Sequence, residues 1–108
     1  MQKTSTFFSK VYEIVSRIPK GKVSTYKDIA TLAGSPNASR AVGMAMKNNA
    51  NPHTIPCNRV VSSDGSMRGY SMGGVNVKMQ MLQKEGVIFI GEKVDLKRSR
   101  WEPKTKQA

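Results

Sequence analysis

The sequence predicts a mainly α-helical fold carrying a small β wing. Three observations lead there. Apolar residues recur at helical spacing through the first part of the chain, two short helical segments meet around Gly34, and Asp64-Gly65 follows the β-branched pair Val60-Val61. Periodic apolar residues broken by glycine turns suit short packed helices, and an Asp-Gly turn after branched residues suits a hairpin.

Phe7, Val11, Ile14, Val15 and Ile18 share one face of a helix over 6–17, closed by Pro19 and Gly21. Gly21-Lys22-Val23 forms a short turn. Thr25-Tyr26-Lys27-Asp28 has the form of a capping box, in which Thr25 caps the second helix and Asp28 reaches back. That helix turns Ile29, Ala30 and Leu32 inward and ends at Gly34. Ser35 is placed to cap a third helix with Pro36 in its first position, running to about Asn48 and burying Val42, Ala45 and Met46. The glycine turn between the second and third helices makes a helix-turn-helix. Val60-Val61 with Ser62-Ser63-Asp64-Gly65 supplies the wing. Beyond the breaker Gly73-Gly74, Val75, Met79, Met81 and Leu82 form the apolar side of a last helix ending at Glu85-Gly86. Val87-Ile88-Phe89-Ile90 is a short apolar strand, and 94–103 is a basic closing segment. The expectation is one winged helix-turn-helix domain over 1–103, followed by a polar, disordered tail at 104–108.

Composition narrows the function. The chain has 108 residues with 18 Lys and Arg against 7 Asp and Glu, a formal net charge of +11. Such an excess of cations points to nucleic acid, because each phosphate neutralised releases condensed counterions. The single cysteine excludes an internal disulfide. One cysteine and one histidine are too few for a structural zinc site, and no glycine-rich nucleotide loop occurs, so no metal and no cofactor is expected. Neither a secretory signal nor a membrane-length apolar run is present, so no membrane partner is expected. The expected location is cytoplasmic, on the nucleoid if the source is bacterial.

The runs Ser39-Arg40-Ala41-Val42-Gly43-Met44-Ala45-Met46 and Ile55-Pro56-Cys57-Asn58-Arg59-Val60-Val61, with Gly69-Tyr70-Ser71 and the stretch from Lys78 to Gly86, resemble the active-site half of the O6-alkylguanine-DNA alkyltransferases. The ending Val94-Asp95-Leu96-Lys97-Arg98 … Trp101-Glu102-Pro103 resembles the alkyltransferase-like members, which recognise alkylated guanine without repairing it. Two positions depart from the pattern. The alkyltransferase-like members usually carry Trp or Ala where Cys57 stands, and the active transferases carry His where Asn58 stands.

The resemblance implies a winged helix-turn-helix domain that enters the minor groove and flips the damaged base, since a stacked base keeps its O6 group out of reach of a pocket. It implies that Arg40 fills the gap left by the flipped base, and that Ser39 and the small residues Ala41 and Gly43 let the helix approach the groove. Helix packing is the competing explanation for Ala41 and Gly43. It implies that Tyr26 pushes on the target phosphate and borders the pocket, and that Met46, Pro52, Cys57, Val60, Tyr70 and Ser71 line it. In that pocket Tyr70 donates toward the lesion O6 and the Val60 carbonyl accepts from the guanine amine. Asn49 braces the active-site loop and Arg59 orders the wing.

In the transferases the cysteine sulfur attacks the alkyl carbon, helped by a relay of His, water and Glu. Glu85 matches that glutamate and is otherwise a partner for Asn58 and Arg59. Asn58 cannot take a proton, and His53, the only histidine, lies off the motif position. An unassisted thiol, with a pKa near ~8.5, is mostly un-ionised at neutral pH, and loss of a positioned base costs ~10²–10⁴ in rate. Cys57 is thus either a weak nucleophile or simply a small buried apolar residue.

Three functions follow as expectations. The first is a monomeric binder of O6-alkylguanine in duplex DNA that marks lesions for nucleotide excision repair proteins. The second is a suicidal transferase taking the alkyl group onto Cys57. The third is a winged-helix DNA binder without lesion preference, which would have no need of the Cys57 motif.

Overall fold

The computed structural model describes residues 3–49, 51, 54–67 and 74–103, with side chains described throughout except at 3–6 and 74–76. The tail at 104–108 and the segment containing Gly69-Tyr70-Ser71 lie outside the described residues.

Helix α1 spans Lys3–Ser16, starting earlier than the apolar spacing alone requires. It buries Val11 and Val15, and Ile18 follows them into the core just past its end. The Tyr12 hydroxyl donates to the Ala45 carbonyl at 2.8 Å, tying α1 to the third helix. Helix α2 spans Tyr26–Leu32. Its cap is the expected one: the Asp28 N–H donates to Thr25 Oγ1 at 3.0 Å. The reciprocal half of the box is not made. Asp28 instead accepts two bonds from Arg100, at 2.8 and 2.7 Å, from 72 residues along the chain. A guanidinium offering two parallel charge-assisted bonds outcompetes one backbone amide for the same carboxylate.

The end of α2 explains where α3 begins. Gly34 has φ +89, its N–H donates to the Thr31 carbonyl, and the Ser35 N–H donates to the Ala30 carbonyl. That pair of bonds is a Schellman closure. Ser35 therefore serves the end of α2 and does not cap the next helix as expected. Helix α3 spans Ser39–Lys47 and starts at Ala38 with no side-chain cap, leaving Pro36 in the turn before it. Leu32, expected inward, is 36 % exposed, because Ile29, Ala30 and Ala33 already fill the buried side of α2. Val42, Ala45 and Met46 are buried as expected.

Strand β1, Ser24–Thr25, pairs in parallel with β2, Val60–Val61, in the register Ser24 with Val60 and Thr25 with Val61. The sequence had suggested that Val60-Val61 would enter a hairpin of its own. The turn does form: the Ser62 N–H donates to Ser66 O and the Gly65 N–H to Ser62 O, both at 2.8 Å. Gly65 has φ +90, and a Cβ there would come within 2.6 Å of the Val94 carbonyl oxygen, so the position demands glycine. The strand edge of Val60-Val61, however, is taken by β1. Because side chains alternate along a strand, Val60 enters a core of α1, α2 and α3 residues. Val61 enters a second core with Val23, Met67, Leu82, Val87 and Val94.

Helix α4 spans Gly74–Lys84, and an antiparallel hairpin lies beyond it, between β3, Phe89–Ile90, and β4, Lys93–Val94. On α4, Leu82 and Lys78 are fully buried, which turns Met81, expected on the apolar side, to 39 % exposure. A short α5, Leu96–Ser99, is capped by Asp95. The chain then runs beside β1: Val23 N–H donates to Ser99 O at 2.8 Å and Trp101 N–H to Val23 O at 2.7 Å. Among the described residues no helix is long and apolar enough to cross a membrane.

Candidate DNA-lesion site

Helix α3 has two working faces. Arg40, Gly43, Met44 and Lys47 recur at helical spacing on its outer side, and Arg40, Met44 and Lys47 are exposed. Ser39 and Ala41 are half-buried at the start of the helix. A Cβ added at Gly43 would meet no atom within 4 Å. Packing against another element therefore does not account for this glycine, and the competing explanation from the sequence falls away at Gly43. The opposite face carries Met46, which joins Cys57 and Val60 in the helical core, Met46 and Cys57 each being 8 % exposed.

Cys57 opens a 3-10 turn, Cys57–Arg59, that leads into β2. Its N–H donates to the Ile55 carbonyl at 2.8 Å. Asn49 donates through Nδ2 to that same carbonyl at 2.8 Å, while its Oδ1 accepts from the Asn51 N–H at 2.9 Å. One amide thus bridges the exit of α3 and the approach to the cysteine. Arg59, expected to order the wing, instead ties this turn to two helix ends. Its Nε and Nη2 donate to the two Glu85 carboxylate oxygens at 2.9 and 2.8 Å, and Nη1 donates to the Ile18 carbonyl at 2.8 Å. Carbonyls just past a helix end lack helical partners, and a guanidinium can serve one while pairing with a carboxylate. Asn58 is 5 % exposed, and its Nδ2 has no hydrogen-bond partner among the described residues. Glu85 meets Arg59, with no bond to Asn58.

The Val60 carbonyl accepts from Lys78 Nζ at 2.6 Å. Burial pushes the Lys78 ammonium down to about 8, while negative charge on Cys57 pulls the other way. Tyr26, half-buried at the start of α2, is raised, first by burial and then by the charge of Cys57. Tyr26 on α2 and Lys78 on α4 thus both respond to charge on the cysteine. The family resemblance gives Tyr26 a role, and includes Lys78 as the start of the matching stretch without giving it one. The signal was available: Val75, Lys78, Met79 and Leu82 fall at the spacing of one helical stripe, which puts a lysine where an apolar residue is the rule.

Pro52, Tyr70 and Ser71, expected in the pocket wall, and His53 lie outside the described residues. Among the described residues no cluster of three His, Cys, Asp or Glu side chains gathers around a metal-sized space. A shallow cleft of about 240 Å³ lies beside α2, lined by Leu32, Arg100 and Trp101 among others; it does not include Cys57.

Residues 6–87 match the family model described as 6-O-methylguanine DNA methyltransferase, DNA binding domain. The chain is 41 % identical over 104 residues to the DNA base-flipping protein of Escherichia coli (strain K12), covering 94 % of this chain and 78 % of that protein. It is 38 % identical over 94 residues to the bifunctional methyltransferase/endonuclease of Picrophilus torridus, covering 87 % of this chain and only 31 % of that longer protein. Among solved structures, S. pombe Atl1 in complex with damaged DNA containing O6-carboxymethylguanine superposes with a TM-score of 0.83 at 35 % identity, over 95 % of this chain and 100 % of that one. The mainly helical fold with its small sheets is the winged helix-like DNA-binding fold of these proteins. With the family model spanning most of the sequence, including the outer face of α3 and the Cys57 turn, the chain belongs to the 6-O-methylguanine DNA methyltransferase family.

Proposed function

We propose that this chain binds O6-alkylguanine in duplex DNA through the minor groove. It turns the base out of the stack and holds it beside Cys57, without moving the alkyl group at a useful rate near neutral pH. Helix α3 lies along the groove with Gly43 giving it clearance, and Arg40 fills the space vacated by the base. Arg40 is exposed and makes no hydrogen bond or ion pair with other described residues, so its guanidinium is available to the stack. The relatives support this much: one is named as a base-flipping protein and another was solved on DNA containing O6-carboxymethylguanine. Acting as a monomer, the chain would then mark the lesion for nucleotide excision repair proteins.

The observation that carries the non-repairing part is Asn58. Transfer requires the Cys57 proton to leave, a C–S bond to form and the C–O6 electron pair to stay with guanine. The buried group next along the chain from the thiol is an amide with no proton-accepting capacity, and Glu85 is engaged by Arg59. The second function, suicidal transfer, is favoured by the presence of Cys57 itself. Incubating excess protein with duplex DNA carrying O6-methylguanine and reading intact protein mass separates the two. Selective binding with no mass gain is the expected result; a stoichiometric gain of one methyl on Cys57 overturns the non-repairing function. Cys57→Ala is expected to keep its lesion affinity.

A further inference from the structure

We propose that the chain carries a second DNA-binding surface, on the other side of β2 from α3, that takes the phosphate backbone of a second duplex. The inference takes from the proposed function only that the outer face of α3 meets the first duplex.

The surface is a cluster of cations gathered from three parts of the chain. Lys20, Gly21 and Lys22 lie in the turn after α1, Lys84 ends α4, and Lys97 and Arg98 lie on α5. Direct contacts hold the three pieces together. The Lys22 ammonium donates to the Arg98 carbonyl at 3.0 Å and the Val23 N–H to the Ser99 carbonyl at 2.8 Å, so the turn runs alongside α5. A Cβ at Gly21 would stand 3.2 Å from the Glu85 carbonyl oxygen, so the same turn abuts the end of α4. Arg59 strengthens that junction by linking the Ile18 carbonyl to the Glu85 carboxylate. Lys20, Lys84, Lys97 and Arg98 are exposed and Lys22 is half-buried. The acids that these elements carry are already engaged. Glu85 is taken by Arg59, and Asp95 caps α5 and stands 3.6 Å from Arg98. The side chains of Lys20, Lys84 and Lys97 make no hydrogen bond or ion pair with other described residues.

The cluster stands apart from α3. Val60 and Val61 face opposite sides of β2: α3 packs on the Val60 side, while Leu82 of α4 and Leu96 of α5 pack on the Val61 side. The outer side of α3 carries Arg40 and Lys47, so the larger concentration of charge lies on a face that the first duplex does not use. Lys84 suits the negative end of α4, but Lys20 and Lys22 stand on a turn beyond the end of α1. Like charges gathered in one patch repel one another and work against folding. A polyanion offsets that repulsion and releases its own counterions on binding. Lysines make up most of the cluster; they are depleted from protein interfaces and meet phosphate as point charges. That favours a nucleic-acid backbone over an acidic protein. A duplex is stiff over ~150 bp, so one lying along α3 turns back around so small a domain only at a large elastic penalty. The phosphates therefore come from a second duplex.

The test counts duplexes. Excess undamaged duplex of about 12 bp, roughly 40 Å long, is mixed with the full chain at ~50 mM salt, and the complex is sized by sedimentation. The parent is expected to hold two duplexes per protein. The triple variant Lys20→Gln, Lys84→Gln, Lys97→Gln removes three unpaired charges. It is expected to bind the second duplex at least about tenfold more weakly, with the first retained and Tm unchanged or raised. Arg40→Ala is expected to lose affinity for an O6-methylguanine duplex while keeping the second site, which separates failure here from failure at α3. A parent that stops at one duplex overturns the proposal, as does a triple variant that holds two with undiminished affinity. Capture of polyglutamate by the parent, with no second duplex bound, overturns it in favour of an acidic protein partner. A loss in the triple variant seen only with a duplex of about 40 bp, bound one per protein, overturns it in favour of a single wrapped duplex.

Discussion

Glu85→Gln separates a structural carboxylate from a catalytic one. Glu85 accepts two charge-assisted bonds from Arg59, and the side chains are 18 % and 13 % exposed. Breaking a well-buried pair costs ~3–5 kcal/mol because the surviving charge is stranded. Two features reduce that here. A glutamine oxygen can still accept one bond, and Arg59 keeps its bond to the Ile18 carbonyl. The expected loss is roughly 2–3 kcal/mol, against a total of ~5–15 kcal/mol for a domain of this kind. At an unfolding entropy of ~2.1 cal/mol/K per residue, that lowers Tm by about 10 °C. Calorimetry measures it. The rate of Cys57 alkylation by iodoacetamide, taken well below the melting range, should stay within about twofold of the parent. A Tm change under ~2 °C would show that the pair contributes little, and a collapsed alkylation rate at unchanged stability would return Glu85 to a proton relay.

Gly43→Ala should leave Tm unchanged or raise it, by ~0.5–1 kcal/mol of helix stability, since the new methyl meets no neighbour. Lesion binding should weaken in gel shift or fluorescence anisotropy; unchanged affinity would remove the outer face of α3 from the groove. Lys78 makes stability depend on alkaline pH. Its folded-state value is lowered from 10.5 to about 8, so between those values the unfolded chain binds more protons and stability must rise with pH. The parent should gain on the order of 2–3 kcal/mol relative to Lys78→Met from pH ~7 to ~10; parallel melting curves would contradict the burial. Arg40→Ala should cost at least ~2 kcal/mol of lesion affinity by titration with Tm essentially unmoved. Affinity of the parent should fall steeply with added salt, and a flat salt response would remove phosphate contacts.

Local signals were legible in the sequence. The cap at Thr25, the glycine end of α2 and the buried side of α3 all depend on residues within a few positions of one another, and the Asn49 brace follows from the family resemblance. What escaped was long-range. Asp28 looks like half of a capping box until a guanidinium 72 residues later claims both its oxygens. Val60-Val61 reads as a hairpin strand because nothing local reveals that Ser24-Thr25 will take its edge in parallel. Arg59 and Glu85 were paired correctly as one alternative, but the Ile18 carbonyl that completes their link comes from the end of α1. Lys78 is the instructive miss. Its place in the apolar stripe of α4 was readable, but not the Val60 carbonyl that its ammonium meets from 18 residues away.

The most direct test of the whole account is the affinity of the protein for two otherwise identical duplexes, one with O6-methylguanine and one with guanine, at matched salt. The lesion duplex should bind at least about tenfold more tightly, roughly 1.4 kcal/mol, with the preference retained in Cys57→Ala. Equal affinity for the two would mean that no base enters the space beside Cys57.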